Sequence, residues 1–195
     1  IDPLPSVNAG ADQTICVGGV GNLTGTISGV ALAATWSGGA GIYNPDNTTL
    51  TATYTPAPAE INAGYVILTL TTKANGTCPP VSGSIKITIE PLAVIDAGPS
   101  QIICAGSTAT IKGTVGGGAT SGSWSGGGGS FTPGNNSSTI TYTPTKAEEA
   151  SGKVILTFTS DDPAGPCAAV TDTVSIIIHQ RTTANAGDAK FICEG

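Results

Sequence analysis

The chain has 195 residues, with Lys or Arg at 7 positions, Asp or Glu at 13, and a formal net charge of −6. So few cations cannot build the basic patch that phosphate neutralisation requires, which excludes a nucleic-acid-binding reading, and no apolar run is long enough to cross a bilayer, which excludes membrane insertion of this fragment. Only 10% of residues are charged, while Gly supplies 28 positions, Thr 29 and Ser 16, a vocabulary of short strands and tight turns rather than long solvated helices.

Along the chain, the first pattern is Ala9-Gly10, then Gln13, then Ile15-Cys16. A half-buried run follows at Leu23, Gly25 and Ile27. Next come Trp36-Ser37-Gly38-Gly39 and the alternating Leu50, Ala52, Tyr54. Pro58 to Gly64 has room for one helical turn. Val66, Leu68 and Leu70 then alternate with Ile67, Thr69 and Thr71, and Ile85, Ile87 and Ile89 alternate with Lys86, Thr88 and Glu90. This period of two predicts strands with one buried face. Gly18-Gly19, Gly38-Gly39, Asn44-Pro45-Asp46 and Asn75-Gly76 are the turns between them.

The whole series then returns. Ala97-Gly98, Gln101 and Ile103-Cys104 repeat the opening, and Trp124-Ser125-Gly126-Gly127, Tyr142-Thr143-Pro144 and Val154-Ile155-Leu156-Thr157 repeat the rest. The offset is 88 through residue 73, where 33 of the first 73 positions are identical to their partners, and 89 beyond the following loop. An internal period of this length is the mark of a tandem array. The predicted domains are 1–90 and 91–179, with 180–195 as the first strand of a third repeat, since Ala186-Gly187 and Ile192-Cys193 restart the pattern. The chain, which contains no Met, reads as an excerpt of a longer one. The junctions Pro91-Leu92-Ala93 and Gln180-Arg181-Thr182 are short, so neighbouring repeats are expected to stack end to end with little swing.

Six or seven short strands in about 88 residues match the size and spacing of an immunoglobulin-like sandwich. The motif Ala-Gly-x-x-Gln-x-Ile, followed by a Trp strand and Val-Ile-Leu-Thr, resembles bacterial PKD-like and Ig-like repeats. The paired cysteines and the Tyr-Thr-Pro stretch leading to a Glu and a Gly are similar to repeats of the giant cell-surface adhesins of Bacteroidetes, including the SprB-type adhesins of gliding motility. The resemblance covers the whole chain. It implies an all-β architecture of tandem β-sandwiches stacked end to end, export by the type IX system, and display on outer-membrane-attached filaments. Its implied partners are neighbouring repeats of the same chain, with surface polysaccharide met through other regions.

The cysteines are Cys16, Cys78, Cys104, Cys167 and Cys193. There is no C-x-x-C and a single His, so metal binding is poor chemistry, and structural disulfides suit a secreted chain. Two pairings stay open. Cys16–Cys78 and Cys104–Cys167, with Cys193 left unpaired by truncation, would make each repeat self-contained, and a bridge closing about 60 residues adds roughly 4 kcal/mol in the chain-entropy account. In a seven-strand sandwich, however, those positions fall at opposite ends, roughly 20–30 Å apart. Cys16–Cys167, joining the first turn of one repeat to the last hairpin of the next, is the rival.

Trp36, Trp124, Tyr54 and Tyr142 recur in both copies at inward positions, which marks them as core rather than as a sugar platform. His179 falls on the outward phase of the last strand with no nucleophile near it. The Gly runs at 116–118 and 126–129 lack the context of a phosphate loop. Asp161 and Asp162 offer a calcium loop that the first repeat does not share. Asn22, Asn47, Asn75 and Asn136 head N-glycosylation triplets, and Asp172-Thr173-Val174 matches a short O-glycosylation motif. No acid–base or nucleophile constellation exists, so no enzyme activity and no cofactor are expected. The leading reading is a structural stalk repeat of a long extracellular adhesin. The alternatives are a carbohydrate- or surface-binding module, which needs aromatics in loops (Tyr43, Tyr65 and Phe131 are the candidates), and a non-catalytic spacer of a secreted polysaccharide-degrading enzyme.

Overall fold

The computed structural model describes residues 3–73, 75–161, 163, 165–185 and 187. Both predicted repeats fold as strands with one short helix each. In the first repeat these are β1 (Ser6–Asn8), β2 (Gln13–Cys16), β3 (Gly21–Asn22), β4 (Thr26–Ser28), β5 (Ala33–Ser37), β6 (Ile42–Asn44), β7 (Thr53–Thr55), α1 (Pro58–Ala63), β8 (Tyr65–Lys73) and β9 (Ser82–Glu90). In the second they are β10 (Ala93–Asp96), β11 (Gln101–Cys104), β12 (Ala109–Lys112), β13 (Thr114–Gly117), β14 (Gly122–Ser125), β15 (Ser130–Thr132), β16 (Thr139–Thr143), α2 (Lys146–Ser151), β17 (Lys153–Ser160) and β18 (Thr171–His179).

The sheet orders are the same in both. A four-stranded sheet β2-β9-β8-β5 faces a three-stranded sheet β3-β7-β6, with β1 paired to β4. The counterparts are β11-β18-β17-β14, β12-β16-β15 and β10-β13. The strands outnumber the six or seven predicted because the leading edge strand divides and the run through Leu23, Gly25 and Ile27 splits into β3 and β4, which pair with β7 and β1 respectively. Gly10 sits at φ +92° between β1 and β2, and the two halves join different partners, β4 and β9.

β8 and β9 form the predicted antiparallel hairpin, with Val66 opposite Ile87 and Leu68 opposite Ile85. Their inward side chains meet Trp36, Tyr54, Leu23 and Ala52 in one buried cluster, while Ile67 faces out, as the alternation requires. β2 runs parallel to β9, with Gln13 opposite Ile87 and Cys16 opposite Glu90. The equivalent core of the second repeat holds Trp124, Phe158, Ile111, Ile140, Tyr142 and Leu156. Phe158 replaces Leu70 there and stacks on Trp124 with ring centroids 4.4 Å apart.

By compactness the chain divides into two units. Unit one runs to Val94 and takes in Val115–Thr120 and Ser160–Val170; unit two comprises Ile95–Thr114, Ser121–Thr159 and the chain from Thr171. The hairpin loop that carries Cys167 therefore belongs to unit one. Among the described residues no helix is long and apolar enough to cross a membrane.

Candidate functional site: the cysteine cross-link

β2 ends at Cys16, whose carbonyl accepts the Gly19 amide at 2.8 Å in the tight turn Val17-Gly18-Gly19. The Glu90 carbonyl at the end of β9 accepts the Val17 amide at 2.9 Å, which extends the parallel ladder by one step. Onto this edge comes the loop between β17 and β18. Gly165 lies against Thr14 and Glu90, Cys167 Sγ lies 3.9 Å from the Glu90 carbonyl oxygen, and Cys167 is buried. Cys167 is bonded to Cys16 across a Cα–Cα distance of 5.6 Å and a sequence separation of 151.

This corrects the within-repeat pairing. Cys78 and Cys104 are free thiols, half-buried and exposed respectively. The reason is the register. Cys16 lies opposite Glu90, the last residue of β9, whereas Cys78 precedes Ser82, the first. Nine strand residues at about 3.3 Å each put roughly 25–30 Å between them, far beyond the ~7 Å Cα separation that a disulfide tolerates. Cys104, opposite His179 at the end of β18, is separated from Cys167 in the same way. Cys193 lies outside the described residues.

The predicted core aromatics Trp36, Trp124, Tyr54 and Tyr142 are fully buried. The tyrosines also organise a polar centre. Tyr54 Oη donates to the Glu60 carboxylate at 2.8 Å and accepts the Gly41 amide at 2.8 Å. The carboxylate accepts the Ala40 amide at 2.6 Å and the Ala57 amide at 2.7 Å. Tyr142, Glu148, Gly128, Gly129 and Thr145 repeat the set. Burial works against ionisation of Glu60 and Glu148, but the amides and the tyrosine hydroxyl outweigh it and hold both carboxyls below their ordinary value. Burial and then the neighbouring carboxylate push the Tyr142 phenol up to about 12, and Tyr54 is raised for the same reasons. A carboxylate with this many donors anchors a loop. The signal available in sequence was the Glu that recurs 88 residues on.

The other candidates fall into place around this scaffold. Tyr43 and Phe131 lie on β6 and β15 rather than in loops, with rings tilted against Tyr54 and Tyr142 at 4.8 and 5.2 Å. Tyr65 opens β8 with Lys86 Nζ 5.1 Å from its ring centre. Exposed Asn47 donates its Nδ2–H to the Trp36 carbonyl and buried Asn75 donates its Nδ2–H to Thr72 Oγ1, so two of the glycosylation triplets have their Asn amide groups in hydrogen bonds to the fold. Asp161 accepts from the Thr120 amide and hydroxyl; Asp162 lies outside the described residues. Asp46 accepts from both the Thr48 and Thr49 amides within its own turn. His179 is exposed at the end of β18.

No protein-family model matches the chain, and no curated protein matches its sequence. Solved structures match its fold. Immunoglobulin domains 1–4 of Sidekick-1 align at TM-score 0.52 and 15% identity, over 91% of this chain and 49% of that one. The fold is immunoglobulin-like. Extracellular domains 3–5 of Drosophila OTK align at TM-score 0.52 and 11% identity over 89% and 62% of the two chains, and the insect immune protein hemolin at 0.51 and 15% over 92% and 47%. The chain thus spans about half the length of the Sidekick-1 and hemolin fragments. In this immunoglobulin-like frame each Trp lies on the four-stranded sheet facing the Tyr of the three-stranded one, and no ligand pocket is needed to explain either.

Proposed function

We propose that the chain is a pair of structural repeats, 1–90 and 91–179 with 180–195 opening a third, from the stalk of a long extracellular adhesin of the mobile, gliding-motility kind. The Cys16–Cys167 bond carries this reading. Disulfides persist in oxidising compartments, and this one joins positions that belong to two successive sequence repeats, which serves a spacer more than a binding site. The low charge and abundant Thr suit an exported rod. Contact with surface polysaccharide is assigned to regions outside these repeats.

The test is selective thiol labelling on intact cells. A membrane-impermeant maleimide applied before lysis should leave Cys16 and Cys167 unlabelled, and an antibody to the repeats should stain unpermeabilised cells. Staining only after permeabilisation, or Cys16 recovered as a thiol, overturns the extracellular stalk.

A further inference from the structure

Cys104 occupies a copy of the Cys16 seat. It ends a parallel edge strand opposite His179 as Cys16 ends one opposite Glu90. Its carbonyl accepts the Ser107 amide at 3.0 Å, and the His179 carbonyl accepts the Ala105 amide at 2.8 Å, matching the turn after Cys16 bond for bond. What differs is the cover. Cys16 is half-buried beneath the Gly165–Cys167 loop, whereas Cys104 is exposed. Beside it Ile102 is 68% exposed at the position of Thr14, the residue that Gly165 meets in unit one. Cys78 likewise matches Cys167: each lies in the hairpin loop before the last strand of its repeat, and only Cys167 has a partner.

We propose that Cys104 and Cys78 are the two open halves of the same cross-link, and that the partner of each is another copy of this repeat. Cys104 takes the last-hairpin cysteine of the repeat that follows, and Cys78 the first-turn cysteine of the repeat that precedes. Every repeat is then bonded to both neighbours by one rule, first turn to next hairpin. Closing each bridge removes two protons and two electrons from the two thiols. A disulfide donor accepts them and leaves as the dithiol, or as two thiols where the donor is oxidised glutathione. The proposal rests on the repeat and its bonded example, and it holds or fails independently of the adhesin reading.

The experiment is a tandem duplication in which His179 of one copy is followed directly by Pro3 of a second, which keeps the repeat phase. The protein is refolded with oxidised glutathione, alkylated without reduction and mapped by mass spectrometry. The expected result is Cys16–Cys167 within each copy and one added bridge, Cys104 of the leading copy to Cys78 of the trailing copy. A leading Cys104 that stays fully alkylatable, or a trailing Cys78 joined to its own Cys16, overturns the proposal; so does loss of Cys16–Cys167 from either copy, because the rule would then not survive repetition. In a second protein, Cys104→Ser in the leading copy should leave the trailing Cys78 alkylatable and both Cys16–Cys167 bridges intact. A trailing Cys78 that still forms a bridge there means that its partner is not Cys104. These readouts need no cells, so their failure is separate from a failure of surface display.

Discussion

Tyr142 shows how much one recurring side chain carries. Its hydroxyl closes a loop by accepting the Gly129 amide, and it supports the Glu148 carboxylate that holds the Gly128 and Thr145 amides. Tyr142→Phe removes that oxygen and leaves a half-buried amide and a carboxylate short of partners, which costs about 1 kcal/mol; denaturant unfolding reads it directly. The pH dependence has two arms. Glu60 and Glu148 titrate below their unfolded value, so their contribution is complete above about pH 4.3 and is lost as pH falls through the lower folded value. Tyr142 titrates above its unfolded value, so its contribution is complete below about pH 10 and is lost on rising toward about 12. Thermal melts across both windows should show stability falling at each end, with the acid arm shallower in Glu148→Gln. The inward phase of Tyr142 was legible from period-two alternation. Its pairing with Glu148 was legible only as a recurrence: the Glu returns six residues after the Tyr in both copies, but the hydrogen bond joins a strand to a helix across a loop, and spacing alone does not say that the two side chains meet.

At the scale of the element, the Trp-Ser-Gly-Gly motif gains a physical cause. The second glycine, Gly39 or Gly127, sits at φ +70° or +65°, and a Cβ there would strike the hydroxyl of Tyr54 or Tyr142. Gly127→Ala should therefore destabilise unit two by more than Gly134→Ala in the same unit, where a Cβ meets nothing within 4 Å; comparing the two melting temperatures checks this. Trp124→Ala would empty a fully buried site and break the stack on Phe158, a loss of about 3–5 kcal/mol. The recurring Gln is likewise structural: Gln13 Nε2 donates to the Asn22 carbonyl at 2.6 Å, and its Oε1 accepts the Asn22 amide at 3.0 Å, fastening β2 of one sheet to β3 of the other. The hairpin strands were readable because their alternation is strict. The parallel pairing of β2 with β9 was hidden, since it brings together residues more than seventy positions apart, and the cysteine pairing depends on that register.

For the whole molecule the cross-link is the feature with the longest reach in sequence. Cys16→Ser should lower stability by about 5 kcal/mol at most in the chain-entropy account for a loop of this size and should free Cys167 for alkylation; chemical unfolding followed by thiol counting checks both. The repeat and its period were evident from residue identities alone. The choice between the two cysteine pairings needed the fold, because strand direction decides it. Consider now a pull applied to the two ends of the chain. Tension enters through β1 and β2, reaches Cys16, crosses the sulfurs to Cys167 and leaves through β18. The polypeptide between the bonded cysteines, a separation of 151 residues, lies off the force path. Fully extended it would add roughly 500 Å, and none of that slack is released while the bond holds. The greatest extension of this chain under load is thus capped by the redox state of one bond.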